Sequence, residues 1–203
     1  NMVRTIQEVE YAGVAGCHLE DQVNPKRCGH LDGKQLVTRD EMVRKVRAAT
    51  DSRNDDNFLV IARTDARGVE GFDAAVDRAK AYVDAGADMI FPEAMKTQEE
   101  FEAFRKAIDV PLLANMTEFG KSRLLTRTEL ENLGFNLVIY PVTTQRLAMY
   151  GVEQGLKAIK ETGNADAVLD IMQTRSRLYE VLDYPAYNKY DESLYNFELS
   201  DKQ

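Results

Sequence analysis

The chain has 203 residues, 44% of them hydrophobic and 30% charged, the balance of an ordinary globular domain with a sizeable core. Lys plus Arg number 26 against 34 Asp plus Glu, and the net charge of -8 argues against nucleic-acid binding, which rests on neutralising phosphates. No apolar run approaches the length of a membrane span, and residues 1–10 are too polar for a signal segment. Two cysteines make no disulfide framework, so the expected compartment is reducing: the cytoplasm, or the mitochondrial matrix in a eukaryote.

In chain order, a helix pattern over residues 3–12 stops at Gly13, and Val14–Leu19 reads as a short buried strand closed by Glu20-Asp21. The pattern then repeats. Arg39–Ser52 is helical, and the strand Phe58–Ala62 ends in Arg63-Thr64-Asp65. A helix over Asp73–Ala85 stops at Gly86, and the strand Asp88–Phe91 ends in Pro92-Glu93. Gln98–Ile108 is helical, and the strand Leu112–Ala114 ends in Asn115-Met116-Thr117-Glu118. Arg127–Leu133 is helical to Gly134, and the strand Leu137–Tyr140 ends in Pro141. A long helix over Thr144–Glu161 follows, then two helical segments near Ala165–Leu182 and Pro185–Leu194.

Continuous apolar strands alternating with amphipathic helices predict a parallel sheet with helices outside it. An open doubly wound sheet gathers its ligand site at one crevice. Here every strand end carries chemistry, which favours a (β/α)8 barrel with its catalytic face at the carboxyl ends of the strands. Five strand–helix units are visible and about three are missing at the front. The expected layout is an incomplete barrel over 1–162 and a helical extension over 163–203.

The densest chemistry lies in Lys26-Arg27-Cys28-Gly29-His30. Cations beside a thiol lower its pKa or hold a substrate carboxylate, and His30 can orient the thiol or share its proton. Gly29 lets the loop bend where a side chain would obstruct a ligand. Cys17, in an apolar context, reads as a small buried hydrophobe, and His18 as structural. Glu20 and Asp21 can face a metal ion; for Asp21 a cap or a buried ion pair is at least as good a reading. Arg63, at a strand end, needs an anionic partner, which Asp65 or Glu93 can supply. Asn115 and Thr117 fall on one side of an extended segment and suit a carboxylate, with turn chemistry as the alternative. Arg146 begins the long helix, where the dipole disfavours a cation, and this points to a ligand role. Arg175 is equally readable as part of a solvated helix face. Lys26, Arg27, Arg63 and Arg146 near strand ends of an acidic chain suit a substrate with several carboxylates.

His18-Leu19-Glu20-Asp21-Gln22 followed by Lys26-Arg27-Cys28-Gly29-His30 resembles the signature of the isocitrate lyase/phosphoenolpyruvate mutase superfamily, in its lyase branch. Ala62-Arg63-Thr64-Asp65-Ala66, Phe91-Pro92-Glu93-Ala94, Asn115-Met116-Thr117-Glu118-Phe119-Gly120, Tyr140-Pro141 and Met172-Gln173-Thr174-Arg175 continue the resemblance. It implies metal-dependent cleavage of 2-methylisocitrate to pyruvate and succinate, with isocitrate and dimethylmalate as alternative substrates. The implied ion is Mg2+, or Mn2+ in its place, met by Glu20 through water. The implied catalytic residues are Cys28 as proton donor, His30, Arg63 and Glu93. The implied substrate contacts are Cys28, Gly29, Arg63, Glu93, Asn115, Met116, Thr117, Arg146 and Arg175. The resemblance also implies a homotetramer whose C-terminal helices are exchanged between subunits. The superfamily's first part, with its Ser-Gly-Gly loop, its Tyr base and the Asp pair closest to the metal, has no counterpart in these residues. The expectation is therefore that the chain is part of a longer molecule. A barrel fragment that binds a dicarboxylate or a partner subunit without turnover is the reading of another class.

Overall fold

A computed structural model describes residues 1–195. Strands β1 (Gly16–Glu20), β2 (Leu59–Thr64), β3 (Met89–Pro92), β4 (Leu113–Asn115) and β5 (Leu137–Ile139) alternate with helices α1 (Met2–Tyr11), α2 (Arg39–Thr50), α3 (Phe72–Asp84), α4 (Gln98–Ala107) and α5 (Arg127–Asn132). Helices α6 (Thr143–Thr162), α7 (Arg175–Val181) and α8 (Tyr184–Tyr195) follow. Backbone contacts divide the chain into two compact units, Asn1–Thr143 and Thr144 onward. Among the described residues no helix is long and apolar enough to cross a membrane.

In the first unit all strand pairs are parallel and run in sequence order, β1-β2-β3 and β4-β5, with an Ile90–Leu112 bridge joining the two groups. A doubly wound sheet reverses its strand order at a switch point. An order that never reverses is an arc of the (β/α)8 type, in agreement with the sequence expectation. Register sets Gly16 against Leu59 and Glu20 against Arg63, then Arg63 against Phe91.

Side chains alternate across this arc because successive Cβ atoms point to opposite faces. Ala62, Ile90, Leu112 and Ala114 face the helices and are fully buried, packed with Met42, Val46, Ala79, Tyr82, Phe101 and Phe104, and Val60 packs with Ile6, Ala49 and Phe58. Leu59, Ile61 and Arg63 alternate with them, on the face that carries the site chemistry. The helices begin where a Thr precedes a Glu by three: Thr38, Thr97 and Thr126 each accept the N–H of Glu41, Glu100 and Glu129, and Thr126–Glu129 closes a full capping box. Helices α3 and α5 end on Gly86 and Gly134, at φ of +103° and +81°, a conformation costly for a residue with a Cβ.

Most element ends differ from the sequence reading by one or two residues, and two differences have a clear cause. β2 continues through Arg63 and Thr64, because both pair in parallel with β3 although neither is apolar. The expected single helical segment over Ala165–Leu182 is broken into a 3-10 turn, Asp166–Ile171, and α7, which Thr174 caps by accepting the Arg177 N–H. In the second unit α6 has no buried residue, and Tyr179 stacks on Tyr184 at 4.7 Å. Of the expected extension 163–203, residues 196–203 lie outside the described residues.

Asp21 turns out to be structural. It is fully buried and accepts from Thr64 Oγ1 at 2.7 Å, the Asp65 N–H at 2.9 Å and Tyr82 Oη at 2.8 Å, with Arg78 Nη1 3.5 Å away. Burial raises its carboxyl pKa, and these four donors work against that rise. One side chain thus ties β1 to β2 and α3. Asp21→Ala takes the acceptor from Thr64 Oγ1, Tyr82 Oη and the Asp65 N–H and the counter-charge from Arg78, and the expected loss is about 3–5 kcal/mol in urea unfolding. Thr126→Ala, which removes one exposed cap, is expected to cost about 1 kcal/mol. Equal effects from the two variants would contradict the network's role.

Candidate active site

The site is built at the carboxyl ends of β1 to β4. Parallel register brings Glu20 beside Arg63, Glu93 follows the end of β3, and Asn115 ends β4. Arg63 is the centre: its side chain is 10% exposed, and its guanidinium meets three carboxylates. Nε lies 3.0 Å from Asp65 Oδ2 and 3.4 Å from Glu20 Oε2, and Nη2 lies 3.3 Å from Glu93 Oε2. The Phe91 ring lies beneath it, 4.8 Å from the guanidinium carbon. A planar fork of five donors can serve several acids at once, as the single point charge of a lysine cannot.

Glu93 is 1% exposed and equally well surrounded. Besides Arg63 it faces Asn115 Nδ2 at 3.3 and 3.4 Å and His30 Nε2 at 2.7 Å. Burial pushes its carboxyl upward, but the His30, Arg63 and Asn115 contacts outweigh that and hold it below the ordinary 4.5. The carboxylate is therefore charged inside the protein.

The loop after β1 lies over this pair. Gln22 clamps it at both ends of one amide, donating to the Arg27 carbonyl and accepting the Arg27 N–H, each at 3.0 Å. Lys34, 7% exposed, donates to the carbonyls of Gly29 and Leu31. A Cβ at Gly29 would come 2.6 Å from Arg63 Nη2 and 2.6 Å from Glu93 Cδ, so only glycine lets the loop approach this closely. Cys28, beside it, is a free and exposed thiol.

The structure brings together Glu20, Gly29, His30, Arg63, Glu93 and Asn115, with Cys28 next to Gly29, and it corrects other expectations. His30 does not orient the thiol: one ring nitrogen faces Glu93, and the other accepts the Lys121 N–H at 2.8 Å. Lys26 pairs with Glu20 at 2.8 Å, and Arg27 lies back against Gly33. The Met116 side chain is 1% exposed in the core, its sulfur accepting the Leu125 N–H, so it offers no side-chain contact to a substrate. Asn115 Oδ1 accepts the Thr117 N–H at 3.1 Å, which is turn chemistry, and only its amide nitrogen faces the site. His18 packs edge-on against Phe91. Cys17 is half-buried, and burial pushes its thiol pKa up. Arg146, in the first turn of α6, and Arg175, the first residue of α7, are exposed within the second unit. Sequence reasoning missed Lys34 and Lys121, because each acts through a main-chain partner that no local motif marks.

Among the described residues no group of three His, Cys, Asp or Glu side chains could hold a metal. Glu20 offers one carboxylate, with Oε2 engaged by Lys26 and Arg63. Mg2+ takes an octahedron of oxygens and keeps several waters. These residues do not compose such a site; Glu20 fits only an outer contact through water.

The depressed Glu93 value sets a pH dependence. Its carboxylate stabilises the fold above 4.5 and that contribution is lost as pH falls through the lower, folded value. Glu93→Gln is expected to cost about 3 kcal/mol in urea unfolding at pH 7, and the gap to the unsubstituted protein should narrow as pH falls below 4.5. A gap that stays constant with pH would contradict a charged Glu93.

The family model described as phosphoenolpyruvate phosphomutase matches residues 1–160. A probable 2-methylisocitrate lyase of Corynebacterium glutamicum is 62% identical over 195 residues, covering 96% of this chain and 64% of the relative. The chain thus spans less than two thirds of that relative's length. Oxaloacetate acetylhydrolase, solved with the inhibitor 3,3-difluorooxalacetate, superposes with a TM-score of 0.87 at 35% identity, over 95% of this chain and 65% of that one. Phosphonopyruvate hydrolase, solved with oxalate and Mg2+, gives a TM-score of 0.79 at 30% identity, over 96% and 68%. Together with the sequential parallel arc and the loop set over Arg63 and Glu93, these matches show that the chain belongs to the phosphoenolpyruvate phosphomutase family.

Proposed function

We propose that this chain carries part of the active site of a carbon–carbon lyase that cleaves 2-methylisocitrate to pyruvate and succinate. The observation that supports it most is the Cys28-Gly29-His30 loop lying over the buried Arg63–Glu93 pair, in a chain 62% identical to a probable 2-methylisocitrate lyase. The solved relative that holds oxalate and Mg2+ supports a divalent ion in the family, with Mg2+ the expected one here. Such an ion would supply charge neutralisation at the substrate's oxygens, with Glu20 as an outer contact through water.

In this reading the substrate's hydroxyl gives up its proton to a base outside these residues, and the bond between the hydroxyl-bearing carbon and its neighbour breaks. Pyruvate forms on one side and the aci-carboxylate of succinate on the other. Cys28 then gives its thiol proton to that carbanionic carbon. An exposed thiol beside Gly29, where the loop rests on the Arg63–Glu93 pair, is suited to reach it. Arg63 offsets the developing negative charge in a dry setting, where a fixed cation is worth far more than in water. Its position does not depend on the substrate, since three carboxylates already hold it. Glu93 accepts from a substrate hydroxyl, and Asn115 and Thr117, with the Gly29 N–H, take substrate oxygens. We further propose a cytoplasmic homotetramer exchanging residues 163–203. The apolar side chains of α6 that the second unit leaves exposed, Leu147 and Leu156 among them, are consistent with cover by another subunit.

The test is pyruvate release from 2-methylisocitrate with Mg2+. Cys28→Ser is expected to lower kcat by about 10²- to 10⁴-fold, since an alcohol is a far weaker acid than a thiol. Normal turnover by Cys28→Ser would remove the thiol from this role. Glyoxylate in place of pyruvate would move the substrate to isocitrate, and binding of a dicarboxylate without turnover would favour a non-catalytic chain.

A further inference from the structure

His30 carries a constraint that the lyase reading does not use. Its side chain is 7% exposed, and Nδ1 accepts the backbone N–H of Lys121 at 2.8 Å. A nitrogen that accepts a hydrogen bond holds a lone pair, so the ring proton sits on the other nitrogen. That nitrogen, Nε2, is 2.7 Å from Glu93 Oε1. The approach is close but not aligned, since Nε2 has no hydrogen-bond partner of good geometry. The alternative tautomer would set a lone pair against a carboxylate at this distance, which is repulsive.

The donor of this arrangement comes from far along the chain, in the segment after β4. It approaches the imidazole closely because residue 120 is glycine. A Cβ there would lie 2.6 Å from His30 Nδ1, 2.9 Å from Cε1 and 3.0 Å from Cγ, inside the ring's own space. The requirement is one of room. At the rim, the Lys121 ammonium pairs with Asp32, two residues beyond His30 and 92% exposed. The same segment therefore grips the Cys28 loop twice, once at the buried ring and once at the surface.

We propose that Gly120 and the Lys121 N–H form a positioning element: they hold His30 as its Nε2–H tautomer facing Glu93, and through His30 they fix the seat of the Cys28 loop. The proposal rests on the lyase reading only where it touches turnover. Neither residue meets a reacting atom. They act through His30, whose orientation decides whether Glu93 sees a donor or a lone pair.

The chain has two histidines, His18 and His30, and in a protein labelled with 15N-histidine a His30→Asn control assigns the His30 imidazole signals. Long-range 1H–15N correlation of the unliganded protein is expected to show His30 protonated at Nε2 and unprotonated at Nδ1. Gly120→Ala, which crowds the ring, and Lys121→Pro, which deletes the N–H, should both move the His30 Nδ1 signal away from that of a hydrogen-bonded acceptor nitrogen. Both should lower kcat by about 10- to 100-fold, the cost of a small misplacement. Asp32→Asn, which loosens only the rim contact, should leave the imidazole signals and the turnover unchanged. A His30 protonated at Nδ1 in the unsubstituted protein would overturn the proposal, as would unchanged imidazole signals in both Gly120→Ala and Lys121→Pro. The imidazole signals are read without substrate, so they decide the proposal even if lyase turnover fails, a failure that would overturn only the functional reading.

Discussion

The site depends on a buried ion pair between Arg63 and Glu93. A buried charge without partners costs several kcal/mol, and here neither charge is left with one partner only. Arg63 meets Asp65, Glu20 and Glu93, while Glu93 meets Arg63, His30 and Asn115. The partners come from four consecutive strand ends and the loop after the first. A compact charged floor at the top of a parallel arc follows, and Gly29 is the point where the loop can rest on it without collision.

That floor needs its own support, and the chain supplies it on the opposite side of the strands. Asp21 follows Glu20 directly, yet the two side chains have separate roles. Glu20 turns toward Arg63 and Lys26, and Asp21 turns into the helix layer to collect Thr64, Tyr82 and Arg78. Thr64, next to Arg63, is held by Asp21, so Arg63 is fixed through its neighbour's hydrogen bond as well as through its own ion pairs. Two adjacent acids on one strand end thus divide the work: one faces the chemistry and one holds the strands that present it.

The sequential arc was legible because apolar strands and amphipathic helices alternate, and the Arg63 partnership was legible because a guanidinium at a strand end needs an acid. Element ends were less so. Reading β2 as stopping at its last apolar residue missed Arg63 and Thr64, whose pairing is decided by β3 and not by hydropathy. The contacts that lock the site were invisible for a different reason. Lys121 and His30 are 91 residues apart, and the donor is a main-chain N–H, which any residue but proline could provide. Lys34 likewise acts on carbonyls of its own loop. The resemblance implies Met116 as a substrate contact, and its side chain lies in the core, a burial that no local motif marks.

The central claim is that the charged floor seats the Cys28 loop. Backbone hydrogen exchange reads this directly, since protection follows the free energy of local opening. In Glu93→Gln, exchange across residues 26–31 is expected to quicken by more than the loss of global stability, which the β1 and β2 amides report. Unchanged exchange across 26–31 would contradict the account.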